Sequence, residues 1–80
     1  MLNPKNTLVR CNSPEEKREA RLCFKRMKVA IILWSGDNNL INNLVGFAKP
    51  QDIVISDYPA DAPRIKNPII SFEQFKQAIA

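Results

Sequence analysis

Asp52, Asp57 and Asp61 are of the residue type that suits a hard cation. They alternate with Pro59 and Pro63, and aspartate in a proline-rich stretch is first of all a turn former, so no metal is assigned to them. Lys17, Arg21, Lys25 and Lys28 recur at helical spacing with Arg18 beside them. Such a stripe suits a row of phosphates, and about four contacts would give a modest, salt-dependent affinity for nucleic acid. Ser13, Asn38 and Ser71 stand where helices or turns begin, and free N–H groups at helix starts favour a phosphorylated ligand. Cys11 and Cys23 are the only thiols and there is no histidine, which removes the commonest general base and the commonest zinc ligand. No nucleophile elbow, P-loop or dinucleotide fingerprint is present. The expectation is a non-enzymatic protein with no catalytic residue, no metal and no cofactor.

Length and charge bound what must carry these residues. Eighty residues make one small α/β domain over residues 1–80, with residues 1–6 expected to be flexible. A chain of this size buries only about 60% of its unfolded surface, which disfavours a deep substrate cavity. The net charge is +4, and the basic excess lies in residues 1–28, with eight basic and three acidic side chains. An anionic partner follows from that asymmetry. The longest apolar run, Val29 to Trp34, is far shorter than a membrane span needs, and no secretory signal opens the chain. A cytoplasmic setting is expected, with both cysteines as small buried hydrophobes.

Local signals set the elements. Thr7 to Cys11 reads as a strand. Ser13 then caps a helix with Pro14 in its first turn and Glu16 closing a capping box. Ala20, Cys23, Phe24 and Met27 form its apolar stripe, and Leu22 lies on the opposite side. The continuous apolar run Val29 to Trp34 predicts a central strand covered on both faces. Leu40, Ile41, Leu44 and Val45 follow helical spacing and predict a short second helix. Ile53 to Ser56 reads as a strand, Asp57 to Pro63 as a loop, and Ile69-Ile70 as a strand opened by Pro68. Ser71, with Gln74, caps a last helix whose inner face holds Phe72, Phe75 and Ile79.

The expected order is β-α-β-α-β-β-α. It implies an α/β fold with a single small three- to four-stranded parallel or mixed sheet and two to three helices. Ile31, Leu33, Phe24, Met27, Ile53, Ile55, Ile70, Phe75 and Ile79 are expected to share one core. Leu33→Ala would then cost about 2–5 kcal/mol.

The segments Asn12-Ser13-Pro14-Glu15-Glu16, Trp34-Ser35-Gly36 and Ile70-Ser71-Phe72-Glu73-Gln74-Phe75 occur in that order. In this the chain resembles short α/β proteins encoded by bacteriophages and prophages, which implies a bacterial host protein or defence complex as partner. Asn67 to Phe75 is also similar to the last strand and helix of BRCT domains, small modules that bind phosphopeptides or DNA ends. Neither resemblance supplies a catalytic residue. The expected function is a protein-interaction module that contacts its partner through Arg18, Arg21, Leu22, Lys25 and Tyr58, since Arg and Tyr are enriched at interface hot spots. The alternative is nucleic-acid or phosphorylated-ligand binding through Lys17, Arg21, Lys25, Lys28, Ser13 and Asn38.

Overall fold

Capping chemistry starts both helices where the residue types require. In a computed structural model, which describes residues 7–47, 54–61 and 67–80, Ser13 is extended and its hydroxyl accepts the Glu16 N–H at 3.2 Å. The Glu16 carboxylate reaches back one residue further than a capping box requires, to the Asn12 N–H at 3.0 Å. Helix α1 (Pro14–Arg26) follows, and α2 (Phe72–Ile79) begins with a complete reciprocal box between Ser71 and Gln74. Lys28, at φ 64°, turns the chain out of α1.

The remaining elements are β1 (Leu8–Arg10), β2 (Ala30–Ile31), β3 (Leu44–Phe47), β4 (Val54–Tyr58) and β5 (Ile69–Ser71). They form one five-stranded mixed sheet in the order β2-β4-β3-β1-β5, and with the two helices make a small α/β fold. Strands β1, β2, β4 and β5 run one way; β3, antiparallel to both β1 and β4, runs the other. Both helices cover the same face of this sheet. Phe24 of α1 stacks on Phe75 of α2 at 5.1 Å and meets Phe47 of β3 edge-on at 5.7 Å. Val9, Val45, Ile55 and Ile70 complete the core beneath them. Residues alternate across a strand, so Leu8, Leu44 and Gly46 face the other side. A Cβ on Gly46 would lie 2.5 Å from the Thr7 carbonyl oxygen, so only glycine permits β1 and β3 to approach this closely.

The structure corrects several expectations. Val29 to Trp34 is not a central strand. Only Ala30–Ile31 pairs regularly, at the sheet's edge, and Ile32 and Leu33 are 65% and 63% exposed. The segment expected to form the second helix ends instead as β3, in the middle of the sheet. Asn39 Oδ1 accepts the N–H groups of Ile41 and Asn42, an Asx-type alternative to helical bonding, and β3 then gains a ladder on each side. Because β3 takes the central place, β2 is displaced to the rim. Among the described residues the sheet therefore has five strands and there are two helices, in the order β-α-β-β-β-β-α. Strand β4 also absorbs Asp57 and Tyr58, which were expected in a loop.

Of the expected core, Phe24, Ile55, Ile70 and Phe75 are buried, while Ile31, Met27 and Ile79 pack partly against them. Leu33 does not belong to it. Residues 1–6, Asp52, Ile53, Ala62 and Pro63, on which other expectations fell, lie outside the described residues.

Candidate functional site

Lys17 is not part of an exposed basic stripe. Its side chain is 0% exposed and pairs at 3.1 Å with Asp57, which is 3% exposed. The first turn of α1 sits at the carboxyl end of the parallel strands, so a lysine on the inner side of the helix points toward the ends of β2 and β4. There Nζ donates to the Gly36 carbonyl at 2.9 Å and the Asn39 carbonyl at 2.8 Å, and its third N–H faces Asp57 Oδ2 and, at 3.3 Å, Ser35 Oγ together. It also lies 5.0 Å from the centroid of the Trp34 ring. Asp57 Oδ2 in turn accepts both the Ser35 N–H, at 2.8 Å, and the Ser35 hydroxyl. Gly36, at φ 94°, makes the bend that aims its carbonyl at the ammonium.

This arrangement pins a loop. One buried cation holds residues 35, 36 and 39 together, and the Asn39 N–H closes on the Gly36 carbonyl at 3.3 Å. A buried charge is tolerated only when paired and hydrogen-bonded; Lys17 Nζ and Asp57 Oδ2 meet that condition, while Asp57 Oδ1 is buried without a hydrogen-bond partner among the described residues.

On the outer side of the same loop, Asp37 Oδ2 takes Arg18 Nε at 3.2 Å and an Arg21 terminal nitrogen at 3.5 Å. The Arg21 guanidinium also lies over Trp34, 5.0 Å from the ring centroid. Two predicted contact residues, Arg18 and Arg21, are thus drawn to the pinned loop. Leu22 is exposed on α1, as its wheel position implied. Lys25 and Lys28 are exposed and make no ion pair among the described residues. Ser13 and Ser71 spend their hydroxyls on helix caps, Asn38 is exposed in the turn, and Tyr58 is half-buried at the end of β4. The predicted anion-binding set is therefore not brought together.

Residues not predicted to be contacts define the surface around the pin. Ile32 and Leu33 precede the loop, Leu40 and Ile41 follow it, and all four are exposed, Ile41 to 81%. Ile32 and Leu33 belong to the apolar run read as a central strand, with Leu33 in the expected core, and Leu40 and Ile41 to the spacing read as a short helix.

Both cysteines are buried and free. Burial pushes the Cys11 thiol up to about 12, reinforced by the nearby Glu16 carboxylate. Burial, followed by Glu19, also raises Cys23. Across the two helices, Lys76 hydrogen-bonds Glu19, which raises the pKa of the lysine. Among the described residues no three His, Cys, Asp or Glu side chains are grouped to hold a metal ion, and no helix is long and apolar enough to cross a membrane.

The fold and site define a small mixed-sheet α/β domain with a lysine-pinned apolar loop at one sheet edge. No family model, curated protein or solved structure matches the chain.

Proposed function

We propose that this chain is a non-enzymatic protein-interaction module that docks through the surface from Ile32 to Ile41. The observation that carries this reading is the exposure of Ile32, Leu33, Leu40 and Ile41 on either side of a turn whose carbonyls accept from Lys17 of the buried Lys17–Asp57 pair. Large apolar side chains held in water mark interaction surfaces, and a preorganised loop lowers the entropy cost of docking. Arg18 and Arg21, steadied by Asp37, supply the polar rim. Two free buried thiols accord with a reducing, cytoplasmic setting, and the phage-like motifs direct the search for a partner to bacterial host proteins.

The test is capture of partners from nuclease-treated bacterial lysate by the native chain and by the double variant Leu33→Ser/Ile41→Ser. A stoichiometric protein retained by the first and lost by the second is the expected result. Retention by both, or recovery of nothing, refutes the reading. The alternative, nucleic-acid binding, rests on Lys25, Arg26 and Lys28, which are exposed and unpaired among the described residues. It predicts a salt slope on duplex DNA that becomes shallower by about 0.9 for each of these charges removed.

A further inference from the structure

We infer that the edge of β2 that no described strand covers receives an extended, acidic and apolar segment of a partner protein, which adds to the sheet as a further strand. This specifies the docking mode of the interaction surface proposed above and rests on that reading.

The two rims of the sheet differ. At β5, Pro68 precedes the strand and α2 begins at the residue after it, so little edge is offered. At β2, residues 29–34 carry neither charge nor proline, the usual protections of an exposed edge. The Ile32 N–H donates inward to the Ile55 carbonyl at 3.4 Å, and Ala30 and Ile31 stand in register with Val54 and Ile55. In a parallel ladder the inward and outward groups alternate along the strand. The Ile31 N–H and C=O therefore point away from β4, toward a position no described strand occupies, and the same alternation carried one residue past Ile32 would turn the Leu33 N–H that way.

Side chains at this rim are placed to grip such a strand. Ile32 and Leu33 directly follow the last paired residue of β2 and both are exposed; an occupant strand that prolonged β2 would set them on opposite faces of the sheet. A strand laid along the rim would cover one with each face of its own backbone. Main-chain bonds would supply affinity, and the alternating side chains would supply selectivity.

Charge selects the partner's composition. Lys25, Arg26 and Lys28 stand exposed where the chain enters β2, with no ion pair among the described residues. Beyond its other end, Arg18 and Arg21 share the single carboxylate of Asp37. Both ends of the rim are net positive, which favours acidic residues flanking an apolar strand.

The probe is a synthetic peptide of alternating valine and threonine with two glutamates at each end. It is titrated into the ¹⁵N-labelled chain while amide exchange and Trp34 fluorescence are followed. Protection of the Ile31 and Leu33 amides is expected. Leu33→Pro removes one outward donor and leaves the β4 ladder intact, and should weaken binding about tenfold, whereas Leu33→Thr keeps the N–H and should weaken it less. Methylating alternate peptide nitrogens should abolish binding, a control that leaves the protein unaltered should Leu33→Pro fail to fold. Exchanging the glutamates for lysines should weaken binding as well.

Strand addition is overturned if millimolar peptide leaves both amides unprotected, or if the methylated or lysine peptide binds equally well. It is also overturned if the free chain is a dimer in which these amides are already protected, since the occupant is then a second copy. If the peptide fails while lysate capture still depends on Leu33 and Ile41, the interaction module stands and only the strand mode falls. If both fail, both readings fall.

Discussion

Replacing Lys17 with methionine keeps an unbranched chain in the core and deletes the charge that pins the loop. The ammonium and its carboxylate partner are 0% and 3% exposed, so solvent screening offers neither much relief. Without Lys17, the Gly36 and Asn39 carbonyls lose the donors at 2.9 and 2.8 Å, and Asp57 is left with only the two Ser35 donors. Breaking one side of a buried pair typically costs about 3–5 kcal/mol, because the remaining charge stays buried without compensation. A domain of this length has a total stability of roughly 4–12 kcal/mol, so Lys17→Met should remove a large part of it. Asp57→Asn should cost a similar amount. The double variant should cost less than the sum of the two, with a coupling of about 2–3 kcal/mol, since neither charge is then orphaned. Urea unfolding at constant temperature measures all four corners of this cycle, and amide exchange at residues 35–41 reports release of the loop. Single losses below about 1 kcal/mol, or strict additivity, would refute the assignment of Lys17 and Asp57 as the loop's anchor.

Leu33→Ala should change stability by less than about 0.5 kcal/mol in urea titration, because the side chain is already 63% exposed, whereas Phe24→Ala should cost about 3–5 kcal/mol. Gly46→Ala should destabilise by at least about 1–3 kcal/mol, since its methyl meets backbone, not a flexible side-chain tip; a neutral result in the same assay would contradict the β1–β3 approach. Cys11 and Cys23 should react slowly with a thiol reagent in the native chain and rapidly in urea, and prompt native labelling of Cys11 would contradict its burial. Because the Cys11 thiol is raised from 9.0 to about 12, its contribution to stability is complete below pH 9 and is lost as pH rises toward 12. The unfolding free energy of the native chain, from urea titration, should therefore fall more steeply above pH 9 than that of Cys11→Ala, by up to about 1.4 kcal/mol per pH unit.

Local sequence determined what depends on neighbouring residues. Ser13-Pro14 and Ser71 with Gln74 could satisfy free N–H groups only by starting helices, and both helices begin there. The apolar spacing of Phe24 in α1 and Phe75 in α2 likewise foretold which sides of these helices meet. Lys17 was legible in part, since it precedes Ala20 by three residues and Phe24 by seven and so lies on the apolar stripe, beneath its more conspicuous membership of a basic one. What it meets there was not legible. Asp57 is forty residues away, and the contact exists only because β2 and β4 are parallel neighbours that end at the same edge as α1 begins.

Strand order was the decision left to tertiary structure. An apolar run such as Val29 to Trp34 states that water is unfavourable, but not which partner removes it. Leu44–Phe47 could be a weak helix by spacing or a strand with a ladder on each side, and two ladders outweigh the modest helix propensity of an asparagine-rich segment. Once β3 lay between β1 and β4, β2 had only the rim, and residues that read as core became exposed surface. Local propensity is a property of neighbours in the chain, whereas burial is settled by competition among distant segments for the same few places in one sheet.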